Sequence, residues 1–251
     1  MTLAILSALP EEQQGIAHAL TNAQEVVRAG RTFVRGHMHG TDVVLALSGI
    51  GKVAAATTTT TLVEHFGVQQ LVFTGVAGGL GPTVRVGDVI VAQHFVQHDM
   101  DVRPLFPRWQ VPGYASPLFA CNAELVQQLQ SAADSCTQSA AQWNEPLLNQ
   151  HAPCVHTGLI ASGDQFIVSA AVSHSIHSAL QDAGLAALAV EMEGAAIAQV
   201  CADYGIPFAA VRTISDRADD DAHVDFPAFV TAVASRYAQH IITHMLLARA
   251  H

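Results

Sequence analysis

The chain has 251 residues, half of them apolar, and 11 basic against 21 acidic side chains give a formal net charge of −10, with Lys52 the only lysine. This composition supports a globular fold with a sizeable core and leaves no basic stripe to track a nucleic acid or an anionic membrane surface. Four widely spaced cysteines without a CxxC pair, an amino terminus "MTLAILSALPEE" with no basic leader, and apolar runs far short of the roughly 18 residues that span a bilayer predict a cytoplasmic protein with reduced thiols.

In chain order, short β-branched apolar runs alternate with alanine-rich segments of helical length, the pattern of an α/β fold. Residues 2–8, 31–37 and 42–48 read as strands, the last two as a hairpin turning near Gly40. "KVAAATTTTTLVEHF" (52–66) reads as a helix despite its five threonines, which are weak helix formers. Strands follow at 69–75 and 86–95, a helix at 123–134, a strand at 155–163 and a helix at 169–181. A strand at 186–191, a helix at 193–204, a strand at 207–215 and a helix at 227–247 complete the pattern, with no linker or repeat dividing it. The expectation is one domain, residues 1–251, with a central mixed β-sheet flanked by helices.

The stretch 103–119, "RPLFPRWQVPGYASPLF", has four prolines and four aromatic residues and no strand or helix period. Long loops in compact domains are functional or disordered, and aromatics argue against disorder, leaving a packed surface loop or a binding or subunit-contact segment.

Three glycine clusters, "SGIGK" (48–52), "TGVAGGLG" (74–81) and "ASGD" (161–164), fall where strands are expected to end. Each fits an ordinary tight turn or a close approach of ligand to backbone; neither of the first two fits a P-loop or GxGxxG pattern. Carboxylates collect at the same ends: Glu12 after the first strand, Glu191 and Glu193 after "LAV", and Asp216 after "VRTIS". Singly each could cap a helix; together they suggest an anionic, partly buried pocket suited to proton transfer or to holding hydroxyl groups. "HMH" (37–39) and "HSIH" (174–177) lack Cys or acidic partners at metal spacing, so no metal is expected, and no GxSxG elbow is present.

Taken together, Glu11 and Glu12 after "SALP", "SGIGKVAAA", "TGVAGGL", "VGD" (86–88), "SGDQFI" (162–167), "VEMEGAAIA" (190–198) and "VRTISDRAD" (211–219) resemble 5′-methylthioadenosine/S-adenosylhomocysteine nucleosidases in order and spacing. Any one motif would suggest only the wider purine nucleoside phosphorylase superfamily; the set with Glu12 resembles the hydrolase branch. The resemblance implies a single α/β domain, a homodimer, no metal or cofactor, and an adenosine thioether as substrate. It makes Asp216, with Ser215 beside it, the acid that protonates adenine, Glu12 the base for the attacking water, and Glu193 the acceptor for the ribose hydroxyls. Met192 would pack on the ribose, Phe166 and the backbone of Ile167 would hold adenine, and Ile50, Val76, Ala77, Gly78 and Phe226 would form further wall. Leu105, Phe106 and Pro107 would line the pocket of the partner subunit.

Pro10, Val76 in place of a serine, and the segment 98–109 depart from the commonest family pattern, the last bearing on the 5′-substituent. For Glu191 two readings stand side by side: support of the site from behind, or a salt bridge with an arginine such as Arg212. Three functions compete: hydrolysis of methylthioadenosine and adenosylhomocysteine or another 5′-modified adenosine (aminofutalosine, 5′-deoxyadenosine), phosphorolysis, and a binding module without catalysis.

Overall fold

The computed structural model describes residues 1–140, 142–143, 145–148, 151–219 and 222–249, with backbone alone at 223–225. The elements run β1 (Thr2–Ser7), α1 (Pro10–His18), β2 (Thr21–Arg28), β3 (Arg31–Met38), β4 (Thr41–Leu47), α2 (Lys52–Phe66), β5 (Gln70–Gly79), β6 (Val89–Gln97), β7 (Leu118–Ala120) and α3 (Ala123–Ala140). They continue with β8 (Val155–Ser162), α4 (Ala170–Asp182), β9 (Ala187–Glu191), α5 (Gly194–Tyr204), β10 (Phe208–Asp216), α6 (Ala222–Phe229) and α7 (Ser235–Arg249).

All strands share one mixed sheet in the order β10-β6-β8-β9-β5-β1-β4-β3-β2, with β7 beside β6. Because β10 also pairs β5, the strands β5, β9, β8, β6 and β10 close into a ring, and β1, β4, β3 and β2 extend from it. The mixed α/β architecture is thus the one expected from the sequence.

β5 is buried along nearly its whole length, with helices covering it. It runs four residues past the expected end at Gly75, so "GVAGG" is strand rather than turn. Its partner explains this: Gly75 faces Arg212, and Gly78 faces Asp216, across the parallel pairing with β10. A Cβ at Gly75 would lie 2.2 Å from Arg212 Nη1 and 2.5 Å from Glu12 Oε1. Only glycine leaves room there for two charged side chains.

The β3–β4 hairpin turns through His39 (φ 49°) and Gly40 (φ 78°), the positive-φ pair of a two-residue turn. In α2 the threonines are accommodated by back-bonding: the hydroxyls of Thr57, Thr58, Thr59 and Thr61 donate to the carbonyls of Val53, Ala54, Ala55 and Thr57. α3 runs to Ala140, six residues beyond the expected end, keeping an apolar face of Leu125, Leu129, Ala132 and Cys136 buried.

Three elements were not anticipated. α1 begins with Pro10 and carries Glu11 and Glu12 in its first turn, so Glu12 belongs to a helix start rather than to the close of β1. β2 is an edge strand exposed along most of its length, with no apolar alternation to betray it. β7 is a three-residue strand inside the expected loop. The closing helix is also not continuous: Pro227 sits within α6 without an N–H to donate, and a π-helical turn, Val230–Ala234, joins it to α7. Among the described residues no helix is long and apolar enough to cross a membrane.

Candidate active site

A cavity of about 340 Å³ opens where β1, β9 and β10 end. This is the position at which open α/β sheets hold small ligands, and the volume is at the lower end for such sites.

Glu12 enters it from the first turn of α1. Its Oε2 accepts from the backbone N–H groups of Ala8 (2.8 Å) and Leu9 (2.9 Å), and its Oε1 accepts from Val76 N–H on β5 (3.0 Å). The Leu9 contact is the return half of a capping box, with Leu9 as N-cap and Glu12 at the third helical position, and the Ala8 contact adds to it, so the helix start pins the carboxylate. Burial pushes its pKa above the usual 4.5, while Arg212 and the three N–H donors pull the other way.

Arg212, from the middle of β10, is 1 % exposed. Its guanidinium lies 3.6 Å over the ring centre of Phe73 and donates to Glu191 (2.5 Å) and Glu193 (3.4 Å). Glu191 ends β9 and is saturated. It accepts from Arg212, the Ser162 hydroxyl, and the N–H groups of Glu193 (3.1 Å) and Gly194 (2.9 Å). Both readings of this residue therefore have a basis: it is a buried ion-pair partner, and it ties the start of α5 to the end of β8. Glu193 is the N-cap residue of α5, and its Oε1 accepts from Gly51 N–H at 2.9 Å, so the "SGIGK" turn supplies a donor to the carboxylate. Burial and the neighbouring Glu191 raise the Glu193 pKa, and Arg212 opposes the rise.

Asp216 ends β10, 2 % exposed. One oxygen accepts from the Ser215 hydroxyl and the other from Ala218 N–H, each at 2.8 Å. Gly78 makes room for it, since a Cβ there would lie 2.9 Å from Asp216 Oδ1.

The cavity wall brings together Glu12, Glu193 and Asp216 with Ile50, Val76, Ala77, Gly78, Phe166, Met192, Ser215 and Phe226. Phe166 and Phe226 meet edge to face, centroids 5.4 Å apart. Ile167 is off this wall; it is buried and lines a small adjoining cavity of about 30 Å³ together with Phe166, Met192 and Asp216. Leu105, Phe106 and Pro107 are not on the wall of this chain's cavity and stand exposed. The segment that carries them is packed rather than loose: Trp109 is buried and its indole N–H donates to His98 O at 3.0 Å.

Several contributors escaped the sequence reading. Ala8, Leu9 and Val190 line the cavity only because strands stop there. Ser162 opens the "SGDQFI" motif, but the donation of its hydroxyl to Glu191 had no signal in the sequence. A further link, Lys52 Nζ to Asp99 at 2.6 Å with Asp99 accepting from Asp164 N–H at 2.9 Å, joins the start of α2 to the loop bearing Phe166. Among the described residues no three His, Cys, Asp or Glu side chains gather as a metal site.

The family model of the phosphorylase superfamily matches residues 2–247. The chain is similar in structure to the 5′-methylthioadenosine/S-adenosylhomocysteine nucleosidase of Neisseria meningitidis in complex with methylthio-immucillin-A. The TM-score is 0.86 at 31 % identity over 98 % of this chain and 99 % of that one. The Streptococcus pneumoniae MTA/SAH nucleosidase with 8-aminoadenine gives 0.85 at 33 % identity over 99 % and 100 % of the two chains. Futalosine hydrolase of Helicobacter pylori gives 0.80 at 32 % identity over 97 % of each.

Proposed function

The chain belongs to the phosphorylase superfamily, and from that premise we propose that it is a nucleosidase that hydrolyses the N-ribosidic bond of 5′-modified adenosines. The observation that carries this reading is the convergence of Glu12, Glu193 and Asp216 on one cavity whose only cation, among the described residues, is Arg212. That guanidinium is already stacked on Phe73 and paired with Glu191. A wall so charged favours a developing sugar cation and a neutral water nucleophile, and it disfavours the phosphate that phosphorolysis needs.

In the proposed reaction Asp216 gives its proton to N7 of adenine as the bond from the base to the sugar breaks, so the base leaves neutral. The Ser215 hydroxyl holds the acid in place. Glu12 takes a proton from water as the water attacks the sugar carbon, and burial suits it to this task by making it a stronger base than an exposed carboxylate. Glu193 accepts hydrogen bonds from the ribose hydroxyls. The division of labour between an acid for the leaving group and a base for water follows the logic of glycoside hydrolysis. Proton donor, base and nucleophile require no cofactor.

For the substrate we infer methylthioadenosine and adenosylhomocysteine, supported by the nucleosidases named above and by the apolar side chains of Leu9, Ile50, Met192 and Phe226 around the cavity. The similarity to a futalosine hydrolase supports a second reading in which the 5′-substituent is bulkier. We further propose a cytoplasmic homodimer in which exposed Leu105, Phe106 and Pro107 complete the partner's pocket at its 5′ side. Adenine release from each nucleoside, followed with and without phosphate, tests the reaction. Release in phosphate-free buffer is expected, and dependence on phosphate would make the protein a phosphorylase.

A further inference from the structure

α7 carries His240 and His244 four residues apart, so both side chains stand on one face of the helix. Their imidazoles are stacked, with ring centres 4.2 Å apart and planes 9° apart. His240 Nε2 lies 3.4 Å, and His244 Nδ1 3.3 Å, from the same atom, the hydroxyl oxygen of Ser135 on α3. Two ring nitrogens thus approach one point between two packed helices. Trp143 backs His240 at 6.2 Å, and the Arg236 guanidinium lies 4.1 Å over Trp143.

We propose that His240 and His244 form a binding site for a divalent transition-metal ion that favours imidazole, such as Zn²⁺, Ni²⁺ or Cu²⁺, with the Ser135 hydroxyl and water filling the remaining positions. Histidines at i and i+4 on one helix face are the spacing by which helices present two nitrogens to one ion. With the planes nearly parallel, one ring must tilt for both lone pairs to meet at the ion. The imidazole χ2 torsion is broad, and His244 is the exposed member of the pair. Two protein nitrogens are fewer than a closed structural site uses, so the ion exchanges with solvent. The site lies outside the catalytic cavity and stands or falls independently of the nucleosidase reading.

Isothermal titration of tag-free full-length protein with Ni²⁺ or Cu²⁺ at neutral pH tests this. One ion per chain is expected, with affinity reduced about tenfold or more in both His244→Ala and His240→Ala, because each loses the second, intramolecular ligand. The Cu²⁺ complex should show two imidazole nitrogens in its electron paramagnetic resonance spectrum and one in His244→Ala. The chain's other histidines remain in these variants and report background binding. Because His244 is exposed, its variant should keep the wild-type melting temperature without metal, which separates loss of the site from loss of the fold. No binding, or binding unchanged in both variants, would overturn the proposal.

Discussion

Burial is what sets the titration of Glu12. A carboxylate that is 1 % exposed pays for desolvation, and its raised pKa carries two consequences of definite sign. As the proposed base it must be ionised, so kcat/KM should fall on acidification through a pKa above the usual 4.5. For stability, the protonated form is the better tolerated in the fold. The contribution of Glu12 is therefore fully present below its unfolded-chain pKa and is lost as the pH rises through the folded one. pH–rate profiles of wild type and Glu12→Gln provide the check: the variant should lose about 10²- to 10⁴-fold in rate and the acid limb with it. An acid limb that survives unchanged in Glu12→Gln would assign it to another group. Asp216→Asn should cost a similar factor in turnover while leaving adenine binding nearly intact, as read from kcat and from direct adenine titration.

At the scale of elements, the turn from β9 into α5 holds the site together. Glu191 ties Arg212, Ser162 and the first N–H groups of α5 into one buried cluster, so Glu191→Ala should destabilise the protein by about 3–5 kcal/mol, since it leaves the buried Arg212 charge with only its longer contact to Glu193. Gly194 lets α5 start against the sheet: a Cβ there would lie 2.1 Å from Phe95 Cε1, and Gly194→Ala should cost about 1–3 kcal/mol through overpacking. Denaturant unfolding of both variants measures these losses; midpoints equal to wild type would contradict the packing argument. This junction was partly legible in the sequence. An apolar strand ending in Glu191 and Glu193 before small residues announces buried carboxylates with partners, whereas Ser162 and the donor Gly51 are joined to it only by the tertiary fold. β5 misleads for the opposite reason: glycine reads as a turn, yet Gly75 and Gly78 serve the neighbouring strand by yielding space to Arg212, Glu12 and Asp216. β2 could not be seen because its exposed edge position imposes no alternation.

Across the whole molecule, the succession of apolar runs and helical segments was enough to predict a mixed sheet covered by helices, because burial on both faces dictates such runs. The closure of five strands into a ring was not legible, since it rests on the second pairing of β10 with β5, a contact that no local pattern encodes. The proposed dimer belongs to this scale as well. Leu105 is 81 % and Phe106 39 % exposed, which is costly for a free apolar surface, and light scattering should report a dimer that Leu105→Asp with Phe106→Asp converts to monomer. A wild-type monomer would remove the proposed subunit contact. The proposal that the clustered carboxylates direct water, not phosphate, to the sugar is tested by timing adenine release from methylthioadenosine by the purified protein in phosphate-free buffer and again with phosphate added. Fast release at the same rate in both is the predicted result; release that requires phosphate and yields a sugar phosphate would contradict it.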